Sequence, residues 1–200
     1  SDQLAFAWDI ANNKSYPGSG ATITNLISGA ENLIINNATI QYGSSNGNGS
    51  VVMDGSGDYL SFTDTTFPNT MTFSIWHKAR ISDPSSSDPY AFGYLFSKNG
   101  GTNFGLAFSE GGTASGAISP GKYYFYNGSS GTAISTAVAQ NNVWGNVVVV
   151  INKTANQIKF YFNGVLNQTT TVTLSSVDML FNQFGRYANS TWYLIGELAA

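Results

Sequence analysis

Polar and apolar residues alternate with a period of two along most of this chain, the spacing of a strand whose successive side chains point to opposite sides of a sheet. Ile158, Phe160 and Phe162 alternate with Lys159 and Tyr161; Asn163-Gly164 follows, and Val165 resumes an extended run. An Asn-Gly pair between two such runs predicts a tight hairpin, because both turn residues need positive φ. Met71, Phe73 and Ile75 alternate with Thr72, Ser74 and Trp76. Residues 147–151 are an unbroken β-branched run, which predicts an interior strand covered on both faces. Further strands are predicted over 33–35, 51–53, 59–62, 94–97, 104–108, 122–126, 133–136, 172–174, 179–184 and 192–198. Clusters of Gly, Asn, Ser and Asp separate them. No stretch carries a convincing helical period over three turns. About a dozen short strands punctuated by turn residues predict an all-β fold, an antiparallel two-sheet sandwich or a barrel.

The chain has no internal repeat and no linker, so residues 1–200 are expected to form a single domain. Two prolines in SDPSSSDP at 82–89 exclude an interior strand and predict an exposed excursion. The closing run from Tyr193 reads as a strand still in progress, so the domain is expected to be one part of a longer polypeptide. Composition removes whole classes of function. There is no cysteine, hence no disulfide, thiolate metal site or thiol nucleophile. Charged residues are 10% of the chain, against about 25% in ordinary soluble proteins. Its polarity comes instead from 24 Ser, 18 Thr and 21 Asn. The net charge is −3 with no basic cluster, which excludes nucleic acid, where phosphate neutralisation supplies most of the affinity. No run approaches the ~20 apolar residues of a membrane-spanning helix.

Five segments, in order, resemble the laminin-G-like branch of the concanavalin A-like lectin/glucanase superfamily: MDGSGDYL at 53–60, MTFSIWHK at 71–78, LFSK at 95–98, the hairpin from Trp144 to Gly164, and IGEL at 195–198. The resemblance implies an antiparallel jelly roll of two stacked sheets, in agreement with the strand pattern. The opening AWDIANNKSYPGSG at 7–20 resembles the start of laminin-G-like domains in tailed-phage structural proteins, notably marine ones, and implies a virion surface protein.

The superfamily includes glucanases, whose chemistry needs two carboxylates in one cleft, roughly 5–9 Å apart. In that branch they lie on one strand as Glu-x-Asp-x-x-Glu, and none of Glu31, Glu110 and Glu197 has this neighbourhood. The chain is therefore expected not to be an enzyme. Asp54 and Asp58 straddle a Gly-Ser-Gly turn and are read first as fixing it through side-chain-to-backbone bonds. His77 is the only histidine and shares a face with Phe73 and Ile75, so it is read as a hydrogen-bonded core residue, and a His-based zinc site is not expected. Where the pentraxin pattern places a Glu-Gln-Asp run for calcium, this chain has Gly185-Arg-Tyr-Ala188. Arg186 there opposes a dication. No cofactor is required, and a structural calcium at Asp9, Asp54 or Asp58 is the alternative.

Sugar recognition asks for aromatic faces and amide, carboxylate or guanidinium groups. The loop candidates are Tyr90, Asn99 and Asn103 near one hairpin and Arg186, Tyr187, Asn189 and Trp192 near the last, which are expected to meet at one rim. Trp8, Trp76 and Trp144 are read as core or sheet-face packing. Tyr123 to Tyr126 put aromatics on both faces of one strand, which predicts cover by a loop or a partner. The first functional expectation is a phage virion surface protein, a capsid decoration or fibre domain working through other virion proteins or copies of itself. The alternatives are a module recognising host-surface glycans and an accessory carbohydrate-binding module of a secreted bacterial enzyme.

Overall fold

The computed structural model describes residues 4–42, 49–81, 92–98, 104–109, 120–127, 132–174, 180–187 and 193–199. They form fifteen strands: β1 (Thr22–Ile23), β2 (Leu33–Asn36), β3 (Thr39–Tyr42), β4 (Gly49–Asp54), β5 (Tyr59–Thr66), β6 (Thr70–Ala79), β7 (Phe92–Ser97), β8 (Phe104–Ser109), β9 (Tyr123–Asn127), β10 (Thr132–Ile134), β11 (Trp144–Asn152), β12 (Gln157–Phe162), β13 (Val165–Thr171), β14 (Leu180–Phe184) and β15 (Ile195–Ala199). No helix occurs among the described residues. The front sheet has seven strands in the order β13-β12-β11-β6-β15-β4-β3, and the back sheet eight in the order β1-β2-β5-β14-β7-β8-β9-β10. Neighbouring strands are antiparallel throughout. This is the sandwich, one of the two folds that the alternation allows and the one that the family resemblance implies.

One core holds the layers together. Met71, Ile75, Val147, Val149, Ile158 and Phe160 point inward from the front sheet, and Leu60, Phe96, Phe108, Phe125 and Phe181 from the back. Phe73 stacks on Phe96 across the interface at 4.2 Å between ring centroids. The opening segment is tied into this core. Ser15 is fully buried; its Oγ donates to the Thr24 carbonyl at 2.6 Å and accepts the Asp9 N–H at 3.1 Å. The buried Asn25 accepts from the backbone of Ala7 and Ile27 and donates to the Glu31 carbonyl, closing the loop before β2.

Two predicted features come out differently, and two strands are additional. β11 alternates buried and half-buried residues, so Val148 and Val150 face a partly open surface and the strand is not covered on both sides. Residues 172–174 are not a strand. Val172 and Leu174 are buried instead by a turn in which Asn156 accepts both their N–H groups, through its carbonyl and its Oδ1. The short edge strands β1 and β3 carry too few alternating residues to be predicted. The predicted excursion at 82–89 lies outside the described residues.

Candidate functional site

Of the predicted sugar-binding rim, Tyr90, Asn99, Asn103, Asn189 and Trp192 lie outside the described residues. Arg186 and Tyr187 follow β14. The Arg186 guanidinium lies 4.9 Å from the Tyr59 ring centroid and 5.4 Å from that of Tyr193. Its carbonyl accepts from the Ser97 hydroxyl, which sets this segment against the end of β7, two residues before Asn99. Tyr187 commits one ring face to Tyr94, at 4.5 Å between centroids. Beneath it Tyr94 and Tyr124 are buried on the outer face of the back sheet with their hydroxyls hydrogen-bonded together. Burial raises both phenols, Tyr124 to about 12, and raises Tyr187 as well. On the outer side of β9, Tyr124 is thus buried with Tyr94, and Tyr126 and Tyr187 pack against the pair.

The aspartates shape turns. Asp58 accepts the Asp54 N–H at 2.9 Å and the Asn37 amide at 2.8 Å, and Asp54 accepts the Ser56 N–H at 2.7 Å. Asp9 accepts the Ala11 N–H at 3.0 Å. Among the described residues no three His, Asp or Glu side chains converge, so the three aspartates do not make one calcium ligand set. His77 is buried, as its sequence neighbours imply. Its Nδ1 lies 3.0 Å from the Tyr123 hydroxyl, its ring and that of Phe108 meet edge to face, and its Nε2 has no hydrogen-bond partner among the described residues. Burial lowers it to about 3, so the ring is neutral.

The outer face of the front sheet collects groups that the loop-based reading passes over. Trp76, read from the sequence as core or sheet-face packing, lies on the sheet face of the central strand β6 and is 47% exposed. Register places Asn146 on one side of it and Ala199, a small neighbour, on the other. One same-face step along, Lys78 stands between Glu197 of β15 and the half-buried Trp144 of β11. Lys78 Nζ donates to Glu197 Oε1 at 2.8 Å, and Ser50 Oγ donates to Oε2 at 2.7 Å. Partial burial opposes ionisation of Glu197, but the hydrogen bonds from Lys78 and Ser50 and the Lys78 charge together hold its carboxyl below the usual range. In the other direction Ser74, Val148, Tyr161 and Leu166 form one register row across four strands. Trp76 and Tyr161 are two strands and one same-face step apart, roughly 12 Å between Cα atoms by strand spacing and rise. The face thus offers two separated aromatic side chains on fixed strands with amide, hydroxyl, carboxylate and ammonium groups between and beside them. The signal for it in the sequence is the period of two, which puts Trp76, Lys78, Trp144 and Asn146 on the face opposite the core.

An apolar cavity of about 1000 Å³ lies between the sheets under the opening segment, lined by Phe67, Phe73, Phe96 and Phe181 among others. Its lining is mainly apolar, with Asp9, Thr70, Thr72 and Ser74 as polar members.

No curated protein matches this sequence. Among solved structures, domain 4 of AbnA, an extracellular arabinanase of Geobacillus stearothermophilus in complex with arabinotriose, matches with a TM-score of 0.64 at 14% identity, over 98% of this chain and 89% of that one. The enzymatically active domain of tailspike protein 2 from bacteriophage CBA120 matches with a TM-score of 0.56 at 11% identity, over 93% and 29%. A Trypanosoma rangeli sialidase in complex with 2,3-difluorosialic acid matches with 0.55 at 11%, over 92% and 29%. This chain spans under a third of each of the last two. At such identities the likeness is one of fold. Residues 54–198 match a laminin-G family of the Concanavalin A-like lectin/glucanases superfamily, and the chain belongs to that family.

Proposed function

We propose that this chain is a non-catalytic adhesion domain that holds a glycan across the outer face of its front sheet. The observation that carries the reading is Trp76, whose indole lies open to solvent in the middle of a sheet rather than in the core. An exposed indole on a rigid strand presents a flat apolar surface to the C–H face of a sugar ring, and the flanking polar groups fix its orientation. The arabinanase domain of similar fold, described in complex with arabinotriose, supports sugar binding as the working activity. Hydrolysis is not part of the reading. A glycosidase keeps one carboxylic acid protonated by a raised pKa, whereas Glu197 is held ionised by Lys78 and Ser50 and Asp54 is engaged in its turn. No metal is needed, so calcium or a chelator is expected to leave binding unchanged. Electrophoresis through gels containing arabinan, mixed-linkage glucan, xylan or mannan tests the proposal. The wild-type chain is expected to be retarded by at least one of them and Trp76→Ala by none, while equal migration of the two proteins in every gel contradicts it.

A virion surface is the setting this reading favours, on the resemblance of residues 7–20 to phage openings. Many copies on one particle would raise weak single-site affinity through multivalency. A second reading, contact with other virion proteins or copies of itself, draws on one specific feature. Asn167 is hydrogen-bonded to Thr136 and Ala137, and around that junction Ile134, Val138, Val165 and Leu166 are 38%, 52%, 70% and 51% exposed. Sedimentation of the wild type against Leu166→Asp tests it: association lost in the variant supports the reading, and a monomeric wild type opposes it.

A further inference from the structure

The Lys78–Glu197–Ser50 cluster lies on the outer face of the front sheet with Ser50 buried beneath its surface, and its geometry narrows what the face accepts. Both partners of the ion pair are only partly exposed, at 27% and 21% of their side chains. They stand on neighbouring strands whose backbones are paired on both sides. Gly196 makes this approach possible: its φ is +143°, and a Cβ there would come within 2.6 Å of the Lys78 carbonyl. The glycine preceding Glu197 in the IGEL motif is therefore needed to bring the carboxylate opposite Lys78.

An ionised carboxylate offers about four acceptor positions and an ammonium three donors. In the folded chain Glu197 uses one position on each oxygen, for Lys78 and for Ser50. Each carboxylate oxygen thus retains an acceptor position, and the two donors, on the strands to either side, orient the group. Two adjacent acceptors at that spacing match two adjacent hydroxyl donors, and a remaining Lys78 N–H matches an acceptor oxygen beside them. Trp76 lies one same-face step away on the strand that carries Lys78, so a ring resting on the indole presents its hydroxyl edge to the cluster. The donor inventory sets the second limit. A carboxylate or sulfate in place of either hydroxyl has no proton to donate to the Glu197 oxygens, so the acceptor pair favours a neutral edge.

Resting on the glycan reading above, we propose that Glu197, oriented by Lys78 and Ser50, makes the Trp76 face selective for a neutral sugar carrying a vicinal pair of hydroxyls. The test uses the whole chain and the neutral polysaccharide that retards it most, alongside the carboxymethylated form of the same polymer. Glu197→Gln keeps the shape but turns one acceptor oxygen into a donor, and it is expected to weaken binding by at least about ten-fold, the size of a lost charge-assisted hydrogen bond. Ser50→Ala is expected to weaken it less, and carboxymethylation to abolish retention of the wild type. Far-UV circular dichroism and the melting temperature verify that each variant folds; Ser50→Ala, which leaves the ion pair in place, keeps the test decisive if Glu197→Gln does not. If Trp76→Ala abolishes binding but Glu197→Gln and Ser50→Ala do not change it, or if the neutral and carboxymethylated polymers bind equally, the selectivity proposal is overturned and the Trp76 reading stands. If no neutral polysaccharide retards the wild type, both fall.

Discussion

Trp76 and His77 are adjacent in sequence and face opposite environments. Alternation alone assigns their sides: His77 joins Phe73 and Ile75 inward, and Trp76 turns outward. The buried histidine was legible from that pattern, because its face is otherwise apolar. The open indole was not, since periodicity distinguishes the two faces of a strand without saying whether the outer one is covered by a further layer. His77 makes a pH prediction. Its imidazole meets Tyr123 from β9 and Phe108 from β8, and lies opposite Gly145 of β11 and Leu198 of β15, none of which carries a charge. With a folded value of about 3 against the ordinary 6.5, the unfolded chain binds a proton over that interval and the folded chain does not. Stability is therefore complete above pH 6.5 and falls as pH drops toward 3, with a slope of up to about 1.4 kcal/mol per pH unit. Urea unfolding of His77→Leu between pH 7 and pH 5 is expected to show a lower plateau, by about 1–3 kcal/mol for the Tyr123 hydroxyl left unpaired, and a flatter decline. An undiminished slope in the variant would assign the acid limb to other groups.

At the level of elements, the strands that were legible are those in which turn chemistry and alternation agree. The hairpin of β12 and β13 is the clearest case: Asn163 and Gly164 have φ of 49° and 80°, and the Asn163 side chain also accepts the Asn146 N–H at 2.8 Å. Gly164 has open space where a Cβ would lie, so substitution there reads backbone conformation alone. Gly164→Ala is expected to cost about 1–2 kcal/mol, the penalty of a left-handed L-residue, measured by chemical denaturation. A neutral result would mean that the turn relaxes to another type. Residues 172–174 show the opposite case. Their apolar alternation is real, but Asn156 at φ 51° offers its carbonyl and side chain to that segment, and a turn buries the same side chains that a strand would have. The groups of the proposed front-sheet face were not legible for a related reason. Loops are where polar and aromatic residues are conspicuous in sequence, whereas Lys78, Glu197 and Ser50 come together only through strand register.

Across the whole molecule, the all-β class followed from the succession of short alternating runs, and the ordered motifs pointed to two stacked sheets and to the family. The proposed binding face needed the strand order β11-β6-β15-β4, which brings together residues from positions 50, 76, 144 and 197 and which no local pattern encodes. Low charge gives the molecule another testable property. With 10% charged residues and a net charge of −3, there is little field to screen, and adhesion through an indole and a neutral ion pair is expected to be nearly independent of salt. The central claim is that the outer face of the front sheet holds the glycan through Trp76. Isothermal titration of the best-retained neutral oligosaccharide into the wild type and Trp76→Ala, at low and high salt, tests it most directly. The account predicts saturable heat from the wild type with the same affinity at both salt concentrations, and none from the variant. Equal binding by both proteins would contradict it.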